Sequence, residues 1–285
     1  MLTRQLTLQS TDLSGHYNWL NQYALHFNSR LTHLSEQAIR IADAQFNDTD
    51  WQIFRQACFD RGLDCAALEA NLRWQDFRLV AMDMDSTLIT IECIDEIADM
   101  QGLKPQVAEI TEAAMRGELD FQASLKKRVS LLQGLDASAL QRVYHERLQL
   151  SPGAGAMLQV VQQRGLKTLL VSGGFSYFTQ QLQQRLGLNF IHANQLEIKH
   201  DKLTGQVVGQ IVDAEEKRAT VERVCAQLEC TGQQAIVMGD GANDLAMMSI
   251  AGLSVAFRAK PVVREQADIA FNFVGLDGLL ALFED

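Results

Sequence analysis

Apolar residues recur at two spacings, every second position and every third or fourth, and their succession along the chain sets out the elements. Near the start Leu6 and Leu8 alternate as in a strand, and after the turn-forming Asp12-Leu13-Ser14-Gly15 the residues Tyr17, Leu20, Ala24 and Phe27 take helical spacing. Ile39 and Ile41 alternate again. Trp51, Phe54 and Cys58 predict a helix that opens on Asp48-Thr49-Asp50 and stops at Gly62, with a short strand over residues 65–68. Strand, helix, one or two strands, helix, strand predicts a small α+β sandwich over residues 1–77. Leu79-Val80-Ala81-Met82 differs, being apolar at every position, as in a parallel strand covered on both faces. It runs straight into Asp83 and Asp85.

Past Leu88 the pattern turns helical. Segments 93–100, 105–117, 121–132 and 137–148, separated at Gly102, Gly117 and Gly134, predict a four-helix insertion at about residues 90–150. Because the insertion leaves the sheet a few residues past Asp85, it is expected to lie over the carboxyl end of the sheet as a lid. Ser151-Pro152-Gly153 marks the return. A helix around Met157 and Val161 follows, then a buried strand over residues 168–171 ending at Ser172-Gly173-Gly174, which opens a helix over 175–186. An edge hairpin over 196–208, a helix over 213–228, a strand over 235–238, a helix over 243–250, a strand over 253–257 and a last strand–helix pair complete the chain. Strands separated by helices predict a doubly wound parallel sheet, a Rossmann-like α/β core, over residues 78–285.

Charge narrows the function. Among 285 residues, 35 acidic and 25 basic side chains give a formal net charge of −10 with no basic face, which argues against nucleic acid as a partner. No leader of signal-peptide type and no stretch near the ~20 apolar residues that span a bilayer is found, so no membrane partner and a cytoplasmic location are expected. The five cysteines form no C-x-x-C pair and are expected to be reduced thiols, and the scattered histidines argue against structural zinc.

The chemistry lies at strand ends. In a parallel sheet the ends at Asp83/Asp85, at Ser172-Gly173-Gly174 and at Gly239-Asp240-Gly241-Ala242-Asn243-Asp244 share one edge, where ligand sites form. Two glycines at a helix start leave main-chain N–H groups open and, with the Ser172 hydroxyl, make an anion cradle; Ser172 read alone is an ordinary N-cap. Asp83 and Asp240 repel unless a cation lies between them, and carboxylate oxygens select Mg2+ or another hard divalent ion. A metal, an anion cradle and two acids two positions apart point to phosphoryl transfer through an aspartyl-phosphate, with Asp83 as nucleophile and Asp85 as general acid and base. Lys217 is the candidate cation for the phosphoryl oxygens, although Glu215-Glu216-Lys217-Arg218 also reads as a solvated charge run. Phe121, Leu125, Arg128 and Leu132 share one helical stripe, so Arg128 projects from an apolar face, as a fork aimed at a carboxylate would. Read alone, Glu92 is a helix-start acid, and Met115 and Phe121 are core.

In order and spacing, Asp83-Met84-Asp85-Ser86-Thr87, Ser172-Gly173-Gly174, Lys217 and Gly239-Asp240-Gly241-Ala242-Asn243-Asp244 resemble the four motifs of the haloacid-dehalogenase-like hydrolases. The helical insertion after the first motif resembles the cap of the branch acting on phosphoserine, and the resemblance covers roughly residues 78–285. It implies hydrolysis of O-phospho-L-serine to L-serine and phosphate, the last step of serine biosynthesis. Glu92 and Arg128 would read the amino acid within an apolar wall of Met115 and Phe121. Mg2+ would be held by Asp83, the Asp85 carbonyl and Asp240, with Asp244 and Asn243 in support, while Ser172, Gly173 and Lys217 would meet the phosphoryl oxygens.

Residues 1–77 resemble the ACT-like regulatory modules of amino-acid enzymes. A packing or dimerisation module without a ligand fits them as well, so a homodimer through this part and an amino-acid effector are both open. Two rival readings of the whole chain are a phosphatase or phosphotransferase for another small phosphorylated acid, and a non-catalytic amino-acid sensor.

Overall fold

The computed structural model describes residues 2–68, 72–115 and 118–283. In the amino-terminal part, strands β1 (Leu2–Gln9), β2 (Leu31–Ser35), β3 (Ala38–Phe46) and β4 (Asp64–Leu68) form an antiparallel sheet in the order β2-β3-β1-β4. Helices α1 (Tyr17–His26) and α2 (Asp48–Phe59) cover it, with Leu6, Leu8, Ile39, Ile41, Leu20, Phe54 and Cys58 in one apolar core. The acidic start of α2 is a capping box, in which Asn47 accepts from the Asp50 amide and Asp50 from the Asn47 amide.

The second sheet has seven strands in the order β11-β10-β9-β5-β6-β7-β8. Its central strand is β5 (Leu79–Met82), flanked in parallel by β6 (Lys167–Phe175) and β9 (Ala235–Gly239). Successive strand residues point to opposite faces. Leu79 and Ala81 enter one apolar core and Val80 and Met82 the other, which is why this strand shows no polar alternation. Beyond β9 lie β10 (Leu253–Phe257) and β11 (Ile269–Phe271), and beyond β6 lie β7 (Phe190–Lys199) and β8 (Lys202–Val208). Only β8 runs antiparallel.

Four helices fill the insertion: α3 (Cys93–Asp99), α4 (Lys104–Met115), α5 (Phe121–Ser130) and α6 (Ser138–Glu146). Their two stems are tied by main-chain bonds, Thr90 N to Gln149 O at 3.0 Å and Ser151 N to Leu88 O at 3.0 Å, so the insertion stands on a paired base just past Asp85. The sheet is completed by α7 (Ala154–Gln163), α8 (Ser176–Leu186), α9 (Ala214–Gln227), α10 (Leu245–Met248) and α11 (Pro261–Gln266).

Three elements depart from the sequence-based expectation. Ser172-Gly173-Gly174 does not open a helix: β6 runs on to Phe175, because Asn194 on β7 donates to the Gly173 carbonyl (2.8 Å) and holds the chain extended, with an irregularity in the β6–β7 register. The helix expected over 243–250 is short, since the Asp244 carboxylate turns back into its own loop and winds residues 242–244 tighter. Before the final strand, α11 intervenes.

The first and second sheets are fastened together. Asp64 on β4, 3% exposed, accepts from the amides of Asn272, Phe273 and Val274 (2.8–3.0 Å) and from Asn272 Nδ2 (3.0 Å). Arg40 on β3 donates through Nη2 to the carbonyls of Ala281 (3.1 Å) and Phe283 (3.3 Å).

Candidate active site

The ends of β5, β6 and β9 meet under the helical insertion around a cavity of about 620 Å³. The Asp83 amide donates to the Met238 carbonyl (3.0 Å), stapling the end of β5 to β9 and bringing Asp83 beside the loop after β9. Carboxylate oxygens of Asp83, Asp240 and Asp244 lie within 4.8 Å of one another. Lys217 on α9, with no solvent exposure, donates to Asp83 Oδ1 (2.6 Å) and Asp244 Oδ1 (2.7 Å). The charge run around it is thus not a solvated face at this position. Burial works to lower the Lys217 pKa, but Asp244 and Asp83 outweigh it and hold the ammonium charged.

The carboxylates have different tasks by geometry. Both Asp244 oxygens are engaged, Oδ1 by Lys217 and Oδ2 by the amides of Asp240 and Gly241 (3.1 Å each), so Asp244 shapes the loop. Among the described residues the Asp240 carboxylate receives only a 3.3 Å bond, from the Thr87 hydroxyl, and Asp83 Oδ2 accepts none. Burial pushes the Asp83 carboxyl well up, with Asp244, Asp240 and Asp85 adding to the effect against Lys217. Asp240 is pushed up to about 7, first by burial and then by Asp244 and Glu92. Several buried acids facing one lysine are short of positive charge, and their hard oxygen donors fit a divalent cation such as Mg2+. Asp83 and Asp240 have the open oxygens to hold it.

Asp85 accepts from the Cys93 amide at 2.9 Å and from the Ser172 hydroxyl at 3.5 Å. Its carboxyl is pushed up to about 7, mainly by burial and next by Glu92. Ser172 is fully buried and accepts from the Gly174 amide (2.8 Å), curling the strand end into a cradle rather than capping a helix. A side chain at either glycine would push on a neighbouring side chain of the site. A Cβ on Gly174 would overlap Asp85 Oδ2, and one on Gly173 would come within 2.9 Å of the Phe121 ring.

On the cap side, Glu92, Phe121 and Arg128 line the same cavity, as does Asn243 from the loop after β9. Glu92 caps no amide; it accepts from the Ser86 hydroxyl at 2.6 Å, and Ser86 reaches it from a left-handed backbone (φ 56°). Arg128 Nε is buried without a hydrogen-bond partner, and burial lowers the Arg128 pKa. The side chain of Met115 lies outside the described residues.

Several further residues shape the site without belonging to any motif of the sequence. Asn194 links the cradle to α9 by donating to Gly173 and accepting from the Val212 amide (2.9 Å); the signal for it was an amide side chain within a sheet strand. Gln122 on α5 donates to Asp213 (2.7 Å), which caps α9 four residues before Lys217. The Lys260 amide bonds the Asp240 carbonyl (3.1 Å) immediately before α11.

A doubly wound sheet with paired aspartates at the end of its central strand, roofed by an inserted helical cap, defines a capped Rossmann-like hydrolase with an aspartate site. The profile described as haloacid dehalogenase-like hydrolase matches residues 77–252, and the chain belongs to that family. A phosphoserine phosphatase from Polaromonas sp. is 52% identical over 226 residues, covering 78% of this chain and 96% of that protein. Among solved structures, a haloacid dehalogenase family hydrolase from Salmonella enterica serovar Typhi superposes with a TM-score of 0.87 at 32% identity, covering 99% of both chains. A phospho-aspartyl intermediate analogue of a phosphoserine phosphatase gives a TM-score of 0.68 at 36% identity over 73% of this chain and 99% of that one.

Proposed function

We propose that this chain is a Mg2+-dependent phosphomonoesterase that hydrolyses O-phospho-L-serine to L-serine and phosphate through an aspartyl-phosphate on Asp83. The observation that carries the reading is one cavity lined both by Asp83, Asp85 and Asp240, with Lys217 buried against Asp83, and by Glu92 and Arg128. A phosphoester with an α-ammonium and an α-carboxylate matches that set of charges. The relatives named as phosphoserine phosphatases give the reading its substrate.

The phosphoryl group sits against the Ser172 hydroxyl, the Gly173 amide and Lys217, which spread its charge. Asp83, the Asp85 carbonyl and Asp240 would hold Mg2+, which would supply the positive charge that offsets repulsion between a carboxylate and a phosphoryl anion. Asp83, its charge balanced by Lys217, attacks phosphorus in line through a carboxylate oxygen, and Asp85 gives its proton to the departing serine oxygen. Asp85, now ionised, takes a proton from the water that attacks the phospho-enzyme. Phosphate leaves and Asp83 is restored. The cap, with Phe121 against Gly173, keeps water out during the first step.

Phosphate release from phosphoserine, phosphothreonine and sugar phosphates, with and without chelator, tests this directly. Phosphoserine is expected to lead and chelator to stop turnover. Asp83→Asn should abolish activity and Asp85→Asn should trap phospho-enzyme on intact-mass measurement; full turnover by Asp83→Asn would refute the assignment.

A further inference from the structure

Resting on the phosphoserine reading, we infer that Asp95 is a specificity-determining residue, a second acceptor for the substrate ammonium beside Glu92. Asp95 lies in the first turn of α3 and lines the cavity together with Glu92 and Arg128. It is half-buried, and among the described residues no donor reaches its carboxylate. Arg128 and Lys104 are the cations that act on it, yet neither comes within ion-pair distance.

The contrast with its neighbour excludes a merely structural acid. Favourable charge at a helix start explains an acid at position 95 or 96 equally. Glu96 takes that role outside the cavity, where it pairs with Lys104 (3.0 Å) and Arg147 (2.5 Å). Asp95 faces inward instead, and burial raises its pKa with no hydrogen bond to offset the cost. Across the same cavity, Arg128 Nε is likewise buried and unpartnered. Two unsatisfied groups of opposite sign that do not reach each other leave room for a molecule carrying both complementary charges. The carboxylate of an amino acid meets Arg128, and its ammonium enters between Asp95 and Glu92, whose Oε1 is already committed to Ser86. A substrate without an ammonium is then costly, because the half-buried Asp95 carboxylate would stay unpaired.

The test compares phosphoserine with the phosphate ester of 3-hydroxypropanoate, which lacks only the amine, in wild type, Asp95→Asn and Asp95→Ser. Each variant is checked by thermal melting. The expected result is a KM for phosphoserine raised about ten- to a hundredfold with kcat little changed, as for loss of a charge-assisted hydrogen bond, while the deaminated ester is unaffected or improved. Asp95→Glu should recover part of the loss. Equal losses on both esters, or no loss on phosphoserine, would overturn the role of Asp95. A wild type that does not prefer phosphoserine would overturn the parent reading as well, and is seen before any variant is made.

Discussion

Lys217 is the residue on which the site's electrostatics turn. An ammonium with no exposure is stable only where carboxylates replace its water, and Asp83 and Asp244 do so at 2.6 and 2.7 Å. The same bonds leave the work of holding a cation to Asp240 and the far oxygen of Asp83. Asp240→Asn, which keeps the shape but removes the charge, should therefore raise the Mg2+ concentration for half-maximal activity by at least about tenfold, read from a metal titration of initial rates. At this scale the paired acids of the first motif and the acid-rich loop at 240–244 were legible, because three oxygen side chains within five positions after an apolar strand have few structural uses. Lys217 was half legible, its neighbours exposed or half-exposed and it alone buried. Ser86, Thr87 and Asn194 were not, since a hydroxyl or amide declares its partner only once the chain has brought that partner near.

The elements show where periodicity stops being informative. The apolar run 168–171 marked β6 but not its end, because the continuation to Phe175 depends on Asn194 gripping a carbonyl from the next strand. The cap helices were legible by their glycine breaks, whereas the hydrogen bond from Gln122 to Asp213, which joins cap to core, comes from residues polar enough to pass for surface. A strand end bent around its own serine leaves no room at Gly174. Gly174→Ala should displace Asp85 and cut kcat about a hundredfold, as an error of about 1 Å at a reacting group does, with only a modest fall in Tm. Steady-state kinetics beside calorimetric melting separates the two effects.

For the whole molecule, strand order explains why one edge serves three motifs: β5 lies between β6 and β9, so all three carboxyl ends open into one cavity. Among the described residues no helix is long and apolar enough to cross a membrane. The small sheet is held to the large one through side chains rather than strand pairing. Asp64→Ala would leave three main-chain amides and one side-chain amide without an acceptor, and is expected to cost about 2–4 kcal/mol in urea unfolding while kcat per folded molecule stays the same. Shortening the protein to a minimal hydrolase is consequently more than deletion. Cutting away the first strands would strip the loop at 272–274 of its anchor and the carbonyls of Ala281 and Phe283 of a guanidinium, so a trimmed enzyme would need new side chains grafted at both places before it behaved as the parent does.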